Sequence, residues 1–197
     1  MKVPFTILFV LIFLFSSGQD KEVKNKALPD HIKLQYAGSI GFLSLGAGYE
    51  TGNKKFEFDL YYGYVPESVG GVEIHTLTGK TTFLPFKESN NKSVTINPLT
   101  MGAYVAYTFG DQYFLFAPEK YPLSYYDYPT ALHAGVFFGG RITKHAKKRQ
   151  LFSRVGLYYE IGTTDKEFIS YYHNREALKF TDILNVGIGI KGSFRAN

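Results

Sequence analysis

From about residue 34 onward, apolar and polar positions alternate with a period of two, the spacing of a strand with two unlike faces. The last segment shows it most plainly. Leu184, Val186, Ile188, Ile190 and Phe194 share one face, broken only at Gly192, and Asn185, Gly187, Gly189, Lys191 and Ser193 share the other. In residues 56–65 the row Phe56, Phe58, Leu60, Tyr62, Tyr64 opposes Glu57, Asp59, Tyr61 and Gly63. In 131–142, Leu132, Ala134, Val136, Phe138 and Ile142 oppose His133, Gly135, Phe137, Gly139 and Arg141. In 151–162, Leu151, Val155, Leu157, Tyr159 and Ile161 oppose Arg154, Gly156, Tyr158 and Glu160. Segments 73–86 and 99–110 alternate less regularly. Segment 34–49 changes phase between Phe42 and Leu43, which predicts a β-bulge among its glycines. These are seven strands, each long enough for a tilted crossing of a hydrocarbon layer. No helical period stands out.

Closed single-chain bacterial barrels have an even strand count. The eighth strand is placed at 167–173, where Phe168, Ser170 and Tyr172 alternate with Ile169 and Tyr171. The other option divides 34–49 into two short strands near Gly38–Gly41, which reverses the loops that face outward. A soluble barrel would alternate too, with its apolar face inward. Glycines on a solvent-facing strand cost stability without return, whereas a narrow lumen crowded with side chains can use them. The aliphatic row therefore reads as the outer face, and the fold class expected is all-β: a closed antiparallel up-and-down transmembrane barrel of eight strands. The 20 Gly, 18 Phe and 16 Tyr suit that reading.

The first residues read as an export signal: Lys2, an almost unbroken apolar run from Phe5 to Phe15, then Ser16, Ser17 and Gly18. That run is too short for a spanning helix, which needs about 20 residues. The expected organisation is a signal peptide at 1–18, a polar lead-in at 19–31 and the barrel at 32–197. The absence of cysteine excludes disulfides, thiolate metal sites and a lipid anchor on cysteine. The net charge of +5 is partly concentrated in Lys144, His145, Lys147, Lys148 and Arg149. Lying between strands without helical or aromatic context, this cluster reads as a turn rather than a nucleic-acid surface; contact with anionic head groups is a further option. The longest loop, 111–130, holds Tyr113, Phe114, Phe116, Tyr121, Tyr125, Tyr126 and Tyr128, and reads as a lid or an interfacial element.

With these features in place, the chain resembles small bacterial outer-membrane β-barrels of the OmpA and OmpX size class. The stretches Tyr61–Pro66 and Tyr158–Gly162 look like those of uncharacterised Bacteroidetes outer-membrane barrels. The resemblance implies that Val186, Ile188, Ile190 and Phe194 form the signal read by the barrel-assembly machinery. Here Arg195, Ala196 and Asn197 follow the aromatic residue at which the family usually stops. The likeness is architectural and assigns no activity.

The polar faces supply the candidate chemistry. Glu57, Asp59, His133, Arg141, Arg154, Glu160 and Lys191 share lumen parity and are expected to pair there, because an uncompensated buried charge costs several kcal/mol. Outer-membrane lipid A deacylases pair a His with a Ser two residues later. Here that offset holds Lys33, Leu77, Gly135, Lys147 and Arg175, so no catalytic residue is assigned. The histidines show no metal-ligand spacing, and no cofactor is expected. The expected role is a structural or surface-interaction barrel with a filled polar lumen, its partners being outer-membrane lipid, the assembly machinery and a surface glycan or protein. The alternatives are a lipid-modifying enzyme, with His133 as its best-placed histidine, and a small channel or transport accessory subunit.

Overall fold

In the computed structural model, which describes residues 28–51, 53–86, 93–116, 129–146 and 151–194, the alternating segments pair in chain order. The strands are β1 (His31–Ala37), β2 (Leu43–Glu50), β3 (Phe56–Val65), β4 (Ile74–Phe83), β5 (Val94–Phe109), β6 (Leu132–His145), β7 (Phe152–Thr164) and β8 (Asn185–Phe194). Each is antiparallel to its neighbour, and β1 pairs with β8 to close an eight-stranded barrel. Two short helices, α1 (Glu67–Gly70) and α2 (Asp165–His173), and a 3-10 turn at Phe180–Ile183 lie in the connections. The start of β1 and the end of β8 meet: the Phe194 amide donates to the Asp30 carbonyl at 2.9 Å. Residues 1–27, which hold the expected signal peptide and most of the lead-in, lie outside the described residues, as do 117–128 of the aromatic loop and 147–150 of the basic turn.

Eight strands are present, but the eighth does not come from 167–173. That stretch is α2, because Thr164 and Glu167 form a capping box: the Thr164 hydroxyl accepts from the Glu167 amide, and the Glu167 carboxylate accepts from the Thr164 amide. The extra strand arises instead from division of 34–49. The phase change at Phe42 is a chain reversal rather than a bulge, and it uses left-handed backbone at Ala37 (φ 58°), Gly38 (φ 77°) and Gly41 (φ 147°). A register shift does occur in β5 between Asn97 and Thr100, around Pro98, which has no N–H for the ladder.

The ladder fixes the barrel's proportions. From His31, successive partners are Gly48, Asp59, Lys80, Tyr104, Gly135 and Thr164. Extending the last two ladders returns to position 41, ten residues along β1 from the start. With about 3.3 Å per residue and about 4.8 Å between strands, that stagger tilts the strands by about 40°. The enclosed space is then only wide enough for side chains.

Inward strand positions are polar, aromatic, glycine or, at Ala106, alanine. Tyr61, Tyr104 and Tyr158 each face a glycine directly across the ladder: Gly46, Gly135 and Gly189. A Cβ at Gly189 would lie 2.2 Å from the Tyr158 ring, and one at Gly46 would lie 2.6 Å from the Tyr61 ring. Glycine on the lumen face is therefore what lets the tyrosine rings lie across the bore. Outward positions at mid-height are mostly aliphatic, with Phe138 and Tyr159 among them, and aromatic residues recur toward both rims. Leu45 (60 % exposed), Leu60 and Ile188 (58 %) belong to the middle. Near the rim that carries the chain ends, Phe56 packs on Phe83 and Phe152 on Phe194. Near the opposite rim, Tyr36 packs on Phe42, Tyr107 on Phe109, and His75 on Tyr62 and Tyr64.

Candidate functional site

The inward charges collect at the strand ends nearest the termini. Each arrives by the same route, as a polar position in a period-two strand whose alternate residues face out. Glu57, from β3, is the hub. Its Oε1 accepts from Lys191 Nζ (2.7 Å) and Arg141 Nη1 (2.8 Å), and its Oε2 accepts from Lys33 Nζ (2.7 Å). Lys33 also donates to Asp59 Oδ2 at 2.7 Å, and Asp59 Oδ1 lies 2.6 Å from His31 Nε2. Lys191 donates to Glu50 Oε1 at 2.6 Å, and Arg154 clamps both Glu50 oxygens at 3.0 and 2.8 Å. Glu57, Asp59, Lys33, Arg141 and Lys191 are all buried. Such charges are tolerable only because each carboxylate accepts from at least two cationic or imidazole donors.

A second tier lies toward the barrel middle. Lys80 pairs with Glu160 and donates to Gln35 Oε1 at 3.3 Å, with its ammonium 4.3 Å from the Phe137 ring centre and 5.4 Å from that of Tyr61. Tyr158 donates to the same Gln35 oxygen at 3.2 Å, and its hydroxyl lies 3.3 Å from that of Tyr61. Beyond this tier Ile40, Tyr104, Ala106 and Phe137 form an apolar plug. The β1–β2 turn enters the mouth here, its Ile40 carbonyl accepting from Thr76 Oγ1 at 2.6 Å. A cavity of about 20 Å³ among Gln35, Lys80, Glu160 and Tyr104 has room for one water molecule.

Of the seven residues expected in the lumen network, Glu57, Asp59, Arg141 and Lys191 meet in the first tier and Arg154 joins through Glu50. Glu160 belongs to the second tier. His133 stands apart, near the opposite rim, with Nδ1 3.3 Å from Asp165 Oδ1 and Nε2 3.2 Å from the Thr130 carbonyl. Both ring nitrogens thus face acceptor oxygens. His31, Lys33 and Gln35 were legible as a polar row alternating with Ile32, Leu34 and Tyr36, but a first strand starting at Leu34 cuts that row off. Lys80 was legible in the row Thr76, Thr78, Lys80, Thr82. Of the residues expected to form the assembly signal, Val186, Ile188 and Ile190 point outward from β8, and Phe194 packs on Phe152.

His31, Glu57 and Asp59 bring potential ligand atoms within 4.8 Å of one another. The Lys33 ammonium already lies 2.7 Å from both carboxylates, and Lys191 and Arg141 add further positive charge beside Glu57. This donor set suits an ammonium better than a divalent cation. No protein-family model, curated protein or solved structure matched the chain.

Proposed function

We propose that this chain is an exported outer-membrane β-barrel, inserted through its apolar exterior, with a lumen filled by paired charges and a structural or surface-interaction role. The observation that carries the reading is the inversion of polarity. Leucine, isoleucine and valine cover the outside at mid-height, while nearly every strand charge faces the lumen. In water that arrangement would expose the large apolar surface that soluble monomers avoid. In a bilayer it matches an apolar band bounded by aromatic girdles. Strands of about ten residues tilted by about 40° rise about 25 Å, the height of such a band.

The connections support an orientation. The two longest connections, 110–131 and 165–184, emerge at the rim opposite the termini together with 38–42 and 66–73, whereas the connections at the rim with the termini, 51–55, 84–93 and 146–151, have ten residues or fewer. With both termini periplasmic, as in bacterial barrels of this kind, the longer segments face the exterior, where they would contact surface glycan or a protein partner. Residues 1–18 serve as the cleaved export signal in this reading, and the aromatic-ended β8 serves as the signal for the assembly machinery. Cell fractionation is the direct test: the mature chain is expected in the outer-membrane fraction and to need detergent for extraction. Recovery from a detergent-free periplasmic extract would overturn the placement. In planar bilayers the purified protein is expected to give no stable conductance step, and a persistent one would overturn the filled lumen.

A further inference from the structure

The two rims differ in charge, and the difference lies where the apolar exterior stops. On β6 the outward row runs Leu132, Ala134, Val136, Phe138, Ile142 and then Lys144, so the lipid-compatible face ends in an exposed ammonium at the rim with the termini. In the β2–β3 turn of the same rim, exposed Lys54 and half-exposed Lys55 lie immediately before Phe56, whose ring packs on Phe83. Among the described residues no exposed carboxylate shares this rim: Asp30 is half-buried and accepts from the Glu50 amide, and Glu50 itself is held by Lys191 and Arg154. The chain joining β6 to β7 adds Lys147, Lys148 and Arg149 in sequence, residues outside the described structure on which this placement does not depend. The opposite rim exposes Glu67, Glu73, Asp111, Glu176 and Asp182 alongside Lys166, Arg175 and Lys179. Among the described residues the exposed charge is therefore basic at one end and mixed to acidic at the other.

We infer that the rim with the termini is a docking surface for anionic phospholipid head groups, formed by Lys54, Lys55 and Lys144 just beyond the lower aromatic girdle. This rests on the membrane-barrel reading. Lysines one step past an apolar band can run their stems along it and hold their ammonium groups at phosphate level. Spaced around the rim, each such charge attracts anionic head groups within about a Debye length, an attraction that salt weakens. The acidic carboxylates of the other rim disfavour the same lipid, so the pattern would also favour one orientation in a bilayer of unequal leaflets.

The experiment uses the protein refolded into vesicles of phosphatidylcholine with spin-labelled phosphatidylglycerol or spin-labelled phosphatidylcholine as probe. Wild type is expected to prefer the anionic probe by roughly threefold in low salt, and to lose the preference in 1 M salt, as surface electrostatics require. The triple variant Lys54→Glu, Lys55→Glu, Lys144→Glu is expected to show no preference. The control Lys166→Glu, Lys179→Glu, on the other rim, is expected to keep that of wild type. Equal association of the two probes with wild type, or a preference that survives the triple reversal, would overturn the inference. So would a rim that retains a soluble polyanion such as heparin while ignoring vesicle charge, which would assign it to a polyanionic partner. Failure to enter neutral vesicles at all would be a failure of the membrane reading, and a heat-shifted band on cold gels separates that outcome from the others. Because all three lysines are surface residues, the same gel reports whether the variant has folded.

Discussion

Glu57 shows how much a single lumen side chain holds in place. It answers three cations drawn from β1, β6 and β8, strands that meet it only once the barrel has closed. Glu57→Gln leaves Lys33, Arg141 and Lys191 sharing too few carboxylates in a buried setting. Breaking a buried pair from one side costs about 3–5 kcal/mol, and urea titration of the protein in detergent micelles is expected to report a loss of that size. The double variant Glu57→Gln, Lys191→Met is expected to recover part of it, because removing one cation restores the charge balance of the tier. If Glu57→Gln unfolds at the wild-type urea concentration, the network is not what stabilises the lumen.

At the scale of elements, α2 is a helix set in a connection between two strands, and its start depends on a reciprocal cap. Thr164→Ala removes the hydroxyl that accepts from the Glu167 amide, at a cost of about 1 kcal/mol. Hydrogen exchange is expected to quicken at residues 166–168 while the amides of β7 and β8 keep their protection. The same element marks where sequence reading fell short. Phe168, Ser170 and Tyr172 alternate as a strand would, and over so short a stretch a period of two and a period of 3.6 are hard to separate. The Thr164-x-x-Glu167 signature was the better guide. Sidedness, by contrast, was legible: glycines opposite aliphatic residues in β8 marked the lumen face, where Gly189 sits under the Tyr158 ring and Gly187 beside Gln35. Of the charges, Glu57, Arg141 and Lys191 were legible by parity alone. That His133 lies away from them was not, since parity gives the face of a strand and says nothing of height along the barrel.

For the whole molecule, the decisive property is which surface meets which solvent. Leu60 points outward at mid-height, so Leu60→Arg is expected to destabilise the protein in bilayers by about 2–4 kcal/mol, the cost of arginine near a bilayer midplane. Refolding titrations in vesicles measure this, and a change below the scatter of surface substitutions would speak for an aqueous exterior. The barrel is also nearly endless as a path. Asp30 and Phe194 are joined by a backbone hydrogen bond, so a short linker could splice Phe194 to Asp30, and new ends could be cut in the exposed Gly70–Gly71 stretch. Such a circular permutant keeps every ladder and every lumen contact, and is expected to refold in detergent with wild-type heat resistance. In it β8 would be followed by the linker and β1. A permutant that folds in the test tube yet fails to accumulate in the membrane would separate what holds this barrel together from what delivers it.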